Sequence, residues 1–508
     1  MVLGGPAVVV VEVAARLLSV ESERFGRVLA ETTLILVLWI AGRCPSARAR
    51  LAAAAAFLVV ATVAPATVAE VALVLAVGVV VGVVAWRSGV LDGVHVPEPR
   101  APAPSDADVS ETATSEPAAP RAATRRFLTP VLAWLAAAVA VNVSLSVAGA
   151  RAGARPDGRI VWDATNFIEI ARDGYRSARP LAASFPGYAM VIRGAHEWLG
   201  LDHELASILI SDLCGVVATV LFWLWTEGRL HGRARLVALG LFLSFPYCFV
   251  LFGVAYADGL LLVAVLGAVL AVERDHLVLA GLLGAGATFT RPNGLALVPA
   301  LVVLVAERSG VVDASPLSDV TRPIVARLRA VRWSWTSWRP RHLAVLLSAG
   351  GIAGYMWWMR IVWHDPLYFW TVQTTDYGHR AFTDPRTWLK VEFVNRPWEF
   401  IHNGPDAVNQ VASFVVIVAA VAGLPVVGRR FGWGYAVLGL GTIATLWVTA
   451  TGFAPAGRYL LPYLPFAGAA IATPLARSRA LTRVTLAAFG LGSLVLAWGF
   501  ASVFRLNW

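Results

Sequence analysis

The chain has 508 residues, 58% of them hydrophobic and only 15% charged, against roughly 25% charged in soluble domains. That much charge cannot cover the surfaces of several soluble domains, and the mean hydropathy of +0.67 excludes disorder as well. The 3 cysteines, Cys44, Cys214 and Cys248, form no C-x-x-C pair and read as buried small hydrophobes, not a disulfide framework. What remains is an all-α polytopic membrane protein. The net charge of +10 is carried by arginine, Lys390 being the only lysine. With abundant Ala, Gly and Val, this fits GC-rich codon usage. The arginines cluster in short loops between apolar runs, the positive-inside arrangement, so no nucleic-acid partner is expected.

In chain order, residues 1–90 read as an N-terminal membrane unit of about three spans, at 26–42, 51–64 and 66–86. The stretch 2–20 is apolar but holds Glu12 and Arg16, which favours an interfacial position over a spanning one, and it lacks the basic start of a signal peptide. Residues 91–125, rich in Pro, Ala, Ser and acids, read as a disordered linker. Residues 126–508 form the larger membrane domain. Its spans are expected at about 127–149, 204–227, 236–253, 257–272, 342–363, 410–427, 433–451, 458–476 and 482–503. The stretch 277–306 is interrupted by Thr290-Arg291-Pro292-Asn293-Gly294 and reads as two half-length helices meeting at a polar break. Such a break needs protein or a wet cavity around it. The basic loops 228–235, 307–341 and 476–483 and the pair Arg429–Arg430 are expected on the cytoplasmic side. That puts 150–203, 364–409 and 452–458 on the extracytoplasmic side.

The candidate chemistry lies in those outer segments. Asp163 follows Trp162 and opens a helical stretch whose Phe167, Ile168 and Ala171 share a stripe. This helix would lie along the interface, anchored by Trp162, Phe167 and Tyr175. Asp163 could be a helix N-cap or a general base facing a cavity. Tyr256 and Asp258 stand at the outer edge of a span, where an acid is costly and therefore a functional candidate; a purely structural partner for Arg291 is the plainer account. Arg291 offers a planar fork for phosphate or carboxylate, with Asn293 beside it at the break. In the second outer loop Gln373, Asp376 and His379 are interleaved with aromatic residues, Tyr377 among them; an interfacial aromatic belt would explain the rings, and the mixture also suits sugar hydroxyls. Arg458 and Tyr459 sit at the outer mouth of a late span, where snorkelling alone would explain the arginine. The sequence shows no H-E-x-x-H, D-x-D or clustered Cys/His ligand set, so no metal is expected.

Several of these motifs form an ordered set. Trp162-Asp163, Ile170-Ala171, Gly174-Tyr175, Phe185-Pro186-x-Tyr188 and Ile192-Arg193 resemble the first-loop signature of PIG-V-like (GPI mannosyltransferase II-like) enzymes. These are integral-membrane glycosyltransferases of the GT-C superfamily. Tyr256-Ala257-Asp258 resembles the family's Tyr-small-acid motif, Arg291-Pro292-Asn293-Gly294 its break, Gln373 with Tyr377-Gly378 its Gln-x-x-Trp-Gly-Arg element, and Arg458-Tyr459-x-x-Pro462 its late Arg-Tyr motif. The resemblance covers roughly 127–480. Departures are Asp258 for the usual Glu, Tyr377 for Trp, His379 for Arg, and Gly187 within a Phe-Phe-Pro-Leu-Tyr run.

The resemblance implies a GT-C fold with about 10–14 transmembrane helices and extracytoplasmic loops carrying interfacial helices. It implies a polyprenyl-phosphate sugar donor, most often polyprenyl-phosphate mannose, and no bound cofactor. Asp163 would be the catalytic base and the transfer would invert at the anomeric carbon. Arg291 or Arg458 would meet the donor phosphate, Tyr256 and Asp258 would shape the site, and Gln373, Asp376 and Tyr377 would meet sugar or acceptor. The acceptor is expected to be a cell-envelope glycolipid, glycan or glycoprotein, and residues 1–90 could dock a membrane-protein partner. Two other readings stand beside this one: a transporter or flippase of a lipid-linked substrate, or a catalytically inactive GT-C scaffold. The halves show no internal repeat, which disfavours the transporter.

Overall fold

The computed structural model describes residues 120–152, 158–176, 179–319, 324–375, 404–449 and 456–502, all within the unit formed by Ser110–Trp508. The expectations for residues 1–90, for most of the 91–125 segment and for Cys44 lie outside the described residues. The described chain is an all-α membrane protein; its one sheet is a two-residue pairing of β1 (Val312–Asp313) with β2 (Arg332–Trp333), antiparallel, Val312 opposite Trp333.

The helices follow the apolar runs closely. They are α1 Pro120–Arg151, α2 Asp163–Asp173, α3 Pro186–Leu199, α4 His203–Thr226, α5 Gly232–Ser244, α6 Asp258–Glu273, α7 Leu277–Thr290 and α8 Leu297–Arg308. After these come α9 Ile324–Ala330, α10 Gly350–Trp363, α11 Tyr368–Thr375, α12 Gly404–Phe431, α13 Trp433–Thr449, α14 Ala456–Tyr459, α15 Leu464–Ala476 and α16 Arg479–Ala501. Among the described residues 5 helices are long and apolar enough to cross a bilayer: Phe127–Arg151, His203–Thr226, Pro340–Trp363, Ala412–Phe431 and Arg479–Ala501. A helix rises about 1.5 Å per residue and needs about 20 residues to span, so the shorter apolar helices α7, α13 and α15 do not meet that length alone.

Prolines decide where several runs stop short. The span expected at 236–253 leaves α-helical geometry at Ser244, and Pro246–Leu251 continues as a 3-10 turn, because Pro246 has no N–H to donate. The expected break inside 277–306 is present: α7 ends at Thr290, Arg291 is extended (φ −155°), Pro292–Ala296 forms a 3-10 turn, and α8 resumes at Leu297. The span expected at 458–476 is likewise divided, into α14 and α15.

Neighbouring pairs are α1 with α16, α4 with α6, α6 with α7, α5 with α15 and α8 with α13. At the basic end, aromatic rings of Phe222, Trp225, Tyr435 and Phe466 close the interior. There the Trp225 indole donates to the Tyr435 hydroxyl at 2.8 Å, and Glu273 takes both the Tyr435 hydroxyl and Arg229. A second core, at the other end of α6, joins Phe167, Tyr175, Phe185, Tyr188, Tyr355 and Tyr368. Phe167 and Tyr175, expected to hold α2 to the membrane interface, are buried there in protein. The stripe on α2 is covered by α3, not by lipid. Cys214 and Cys248 are buried free thiols.

Candidate functional site

Asp163 is the first residue of α2, and Trp162 before it takes φ 57°. A bulky residue with that φ costs on the order of 1–3 kcal/mol and persists only where its surroundings enforce it. Here the Trp162 indole N–H donates to the Phe500 carbonyl at 3.4 Å. The Asp163 backbone N–H donates to the Tyr256 hydroxyl oxygen at 3.3 Å. Asp163 is therefore not the N-cap of its helix. Its Oδ2 faces Arg458 Nη2 at 3.4 Å. The side chain of Asp163 is 42% exposed while that of Arg458 is 7% exposed, so the carboxylate can reach a substrate and the arginine is fixed behind it. Arg458 does not snorkel.

Arg458 lies on α14 with its guanidinium 4.8 Å from the centre of the Tyr256 ring. A Cβ on Gly457 would run into the Tyr247 ring, so the glycine lets this single turn lie flat on Tyr247. Tyr247 is itself tied to Ser413 across 2.6 Å. Tyr256 is held from the other side. Ser211 Oγ donates to its carbonyl at 3.2 Å, and the Tyr188 hydroxyl lies 3.1 Å from Ser211 Oγ and donates to the Ser207 carbonyl at 2.6 Å. Burial pushes the Tyr188 phenol well up from its ordinary value, which keeps it a donor.

A second pair stands beside the first. Arg291 Nη1 donates to Asp258 Oδ2 at 2.5 Å, with side chains 7% and 1% exposed. Asp258 opens α6, where the helix dipole favours a carboxylate, and Arg291 closes α7. Asn293 Nδ2 donates to the Tyr459 carbonyl at 3.0 Å, and the Arg291 guanidinium sits 5.6 Å from the Tyr459 ring centre. The polar break and the Arg458–Tyr459 turn are thus one unit. Buried atoms here with no hydrogen-bond partner among the described residues are Arg458 Nε, Asp258 Oδ1 and Asn293 Oδ1.

The two arginines differ in what they have left to give. Charge-assisted N–H···O bonds run about 2.7–2.9 Å; the Arg291–Asp258 pair is at least that tight and fully desolvated, so the guanidinium is already matched. The Arg458–Asp163 contact, at 3.4 Å, is loose and has one exposed partner. An incoming anion would be met by Arg458.

The fold brings Trp162, Asp163, Tyr256, Asp258, Arg291, Asn293, Arg458 and Tyr459 into this one connected group. Tyr175 falls elsewhere: it is buried, its hydroxyl donates to the Ser184 carbonyl at 2.7 Å, and its ring packs at a tilt against Trp358 and Tyr355. Gln373 is half-buried on α11, which packs on the Arg179–Ala183 turn. Asp376, Tyr377 and His379 lie outside the described residues. Several contributors were not candidates from the sequence, among them Tyr188, Ser211, Tyr247 and Phe500. Tyr188 is part of the Phe-Pro-x-Tyr motif, which is the signal that marks it. Ser211 is one serine in an apolar span and Phe500 acts through its backbone, so neither leaves a signal. No family model matches the chain, and no curated protein or solved structure matches it.

Proposed function

We propose that the chain is a polyprenyl-phosphate-sugar-dependent glycosyltransferase of the GT-C type, a multi-pass protein of the cell membrane working at the extracytoplasmic face. It moves a mannosyl or related unit to an envelope glycolipid, glycan or glycoprotein. The observation that carries this reading is the half-exposed Asp163 carboxylate held beside the buried, loosely matched Arg458. Asp163 takes the proton of the acceptor hydroxyl as the new C1–O bond forms. The bond from C1 to the lipid phosphate breaks on the opposite side, with inversion, and the phosphate keeps the electron pair. Arg458 stabilises that developing charge, which is where a fixed cation does most for the rate. Arg291 and Asp258 hold the break in place, and Tyr256 braces both Asp163 and Arg458. The placement outside rests on the arginine-rich loops at the other end of the spans.

The test is transfer in membranes supplied with polyprenyl-phosphate mannose. Asp163→Asn is expected to lower transfer about 10²–10⁴-fold at unchanged protein level, and retained transfer would remove Asp163 from the chemistry. Movement of the lipid-linked sugar between leaflets without any new glycosidic bond would favour the flippase reading instead.

A further inference from the structure

At the basic end of the bundle a cavity of about 180 Å³ is lined by Val272, Asp275, Arg308, Ser309, Arg341 and His342, among others. It is separate from the Asp163 group. The 16-residue helix α6 starts at Asp258 and ends next to this cavity, a rise of about 24 Å. Sites for drug-sized ligands run about 300–1,000 Å³, so this one suits a single small group.

Its chemistry is cationic. Arg308 donates one N–H to the Glu273 carbonyl at 2.8 Å, which leaves the rest of its fork to the cavity. Arg341 pairs with Asp275 at 2.8 Å, but both are more than half exposed, and such pairs contribute little. His342 accepts the Arg339 backbone N–H on Nδ1 at 3.3 Å, so its own N–H is on Nε2. The nearby acids are engaged elsewhere: Glu273 on Arg229 and Tyr435, and Glu307 on the Trp433 and Gly434 backbone N–H groups. Asp275 is the one acid among the lining residues.

The surroundings are those of a membrane surface. Below the cavity, α7 and the 3-10 segment Pro340–Ala349 pack together and expose Val278, Leu282, Leu343 and Leu347. Beside it, exposed Trp333 and Trp335 stack on each other, and Trp338 stands edge-on to His342. Arginines next to interfacial tryptophans and above an apolar flank match an anionic lipid: phosphate in the cavity, acyl chains on the leucines.

We propose that this cavity is a binding site for the phosphate headgroup of an anionic phospholipid from the leaflet at the basic end. The site does not depend on the transfer chemistry. The experiment is native mass spectrometry of the full chain in detergent, titrated with phosphatidylglycerol or phosphatidylcholine, with inorganic phosphate as the third arm. Phosphatidylglycerol is expected to be retained selectively. Arg308→Gln and Arg341→Gln should each weaken it about fivefold, and together about thirtyfold. Asp275→Asn should tighten it, since it releases Arg341; a purely structural ion pair would give no such gain. If the double variant fails to fold, the exposed Arg341→Gln carries the comparison alone. Equal retention of the two lipids overturns the proposal, as does retention that ignores the arginine variants, or binding reproduced by inorganic phosphate alone.

Discussion

Arg291 and Arg458 looked equivalent as sequence, each a single arginine in a short motif at the outer end of a span. Burial and distance separate them. Arg291 is spent on Asp258 at 2.5 Å, whereas Arg458 meets a half-exposed acid at 3.4 Å. Asp258→Asn leaves Arg291 buried with a weakened partner, and breaking such a pair costs about 3–5 kcal/mol. Loss of thermal stability and of protein level is therefore the expected result, read by unfolding in detergent. Arg458→Lys keeps the charge but loses the fork. It is expected to leave stability close to wild type and cut transfer at least about tenfold. If the two substitutions behave alike in both measurements, the division of labour drawn from the geometry is wrong. Trp162 belongs to this scale as well: its φ of 57° could not be read from residue types, because only its neighbours hold it there.

At the scale of elements, the break around Arg291 was legible because polar residues and a proline interrupt an otherwise apolar run. The reason for Gly187 was not. A Cβ at that position would lie 2.6 Å from Thr290 Oγ1 and 2.9 Å from Thr290 Cα, so the missing side chain is what lets α3 press against the last turn of α7, one residue before Arg291. A leucine there, as in the run the motif resembles, has no room in this arrangement. Gly187→Leu is expected to destabilise by about 1–3 kcal/mol and to lower transfer by shifting the break. A variant that unfolds at the wild-type temperature would mean the two helices are not in contact. The stripe on α2 is apolar and buried, but periodicity states only that a face is covered. Whether lipid or protein covers it depended on α3 and the aromatic residues that gather around Tyr355.

For the molecule as a whole, orientation across the bilayer has the largest consequence. Arg172 on α2 is 61% exposed and Arg479 opens α16 at the basic end. Cys214 and Cys248 are buried, so single cysteines can be placed on a Cys44→Ser background. A membrane-impermeant maleimide applied to intact cells is expected to label Arg172→Cys and to spare Arg479→Cys. The reverse pattern would put Asp163 on the cytoplasmic side and remove the basis for an extracytoplasmic donor.

Composition and the spacing of apolar runs were enough to determine an all-α membrane protein, 5 of the spans expected after residue 126, the polar break, and a set of residues to test. These follow from a bilayer that penalises any unpaired backbone group, so the alphabet of allowed segments is small. What the tertiary structure decided is which of the scattered polar residues meet. Asp163 and Arg458 are 295 positions apart and share no local pattern; they face each other because the Tyr256 hydroxyl holds the Asp163 backbone, while Asn293 and the Tyr247 ring fix the Arg458–Tyr459 turn. Contacts of that range depend on how helices pack, and packing is a property of whole surfaces that no single motif encodes.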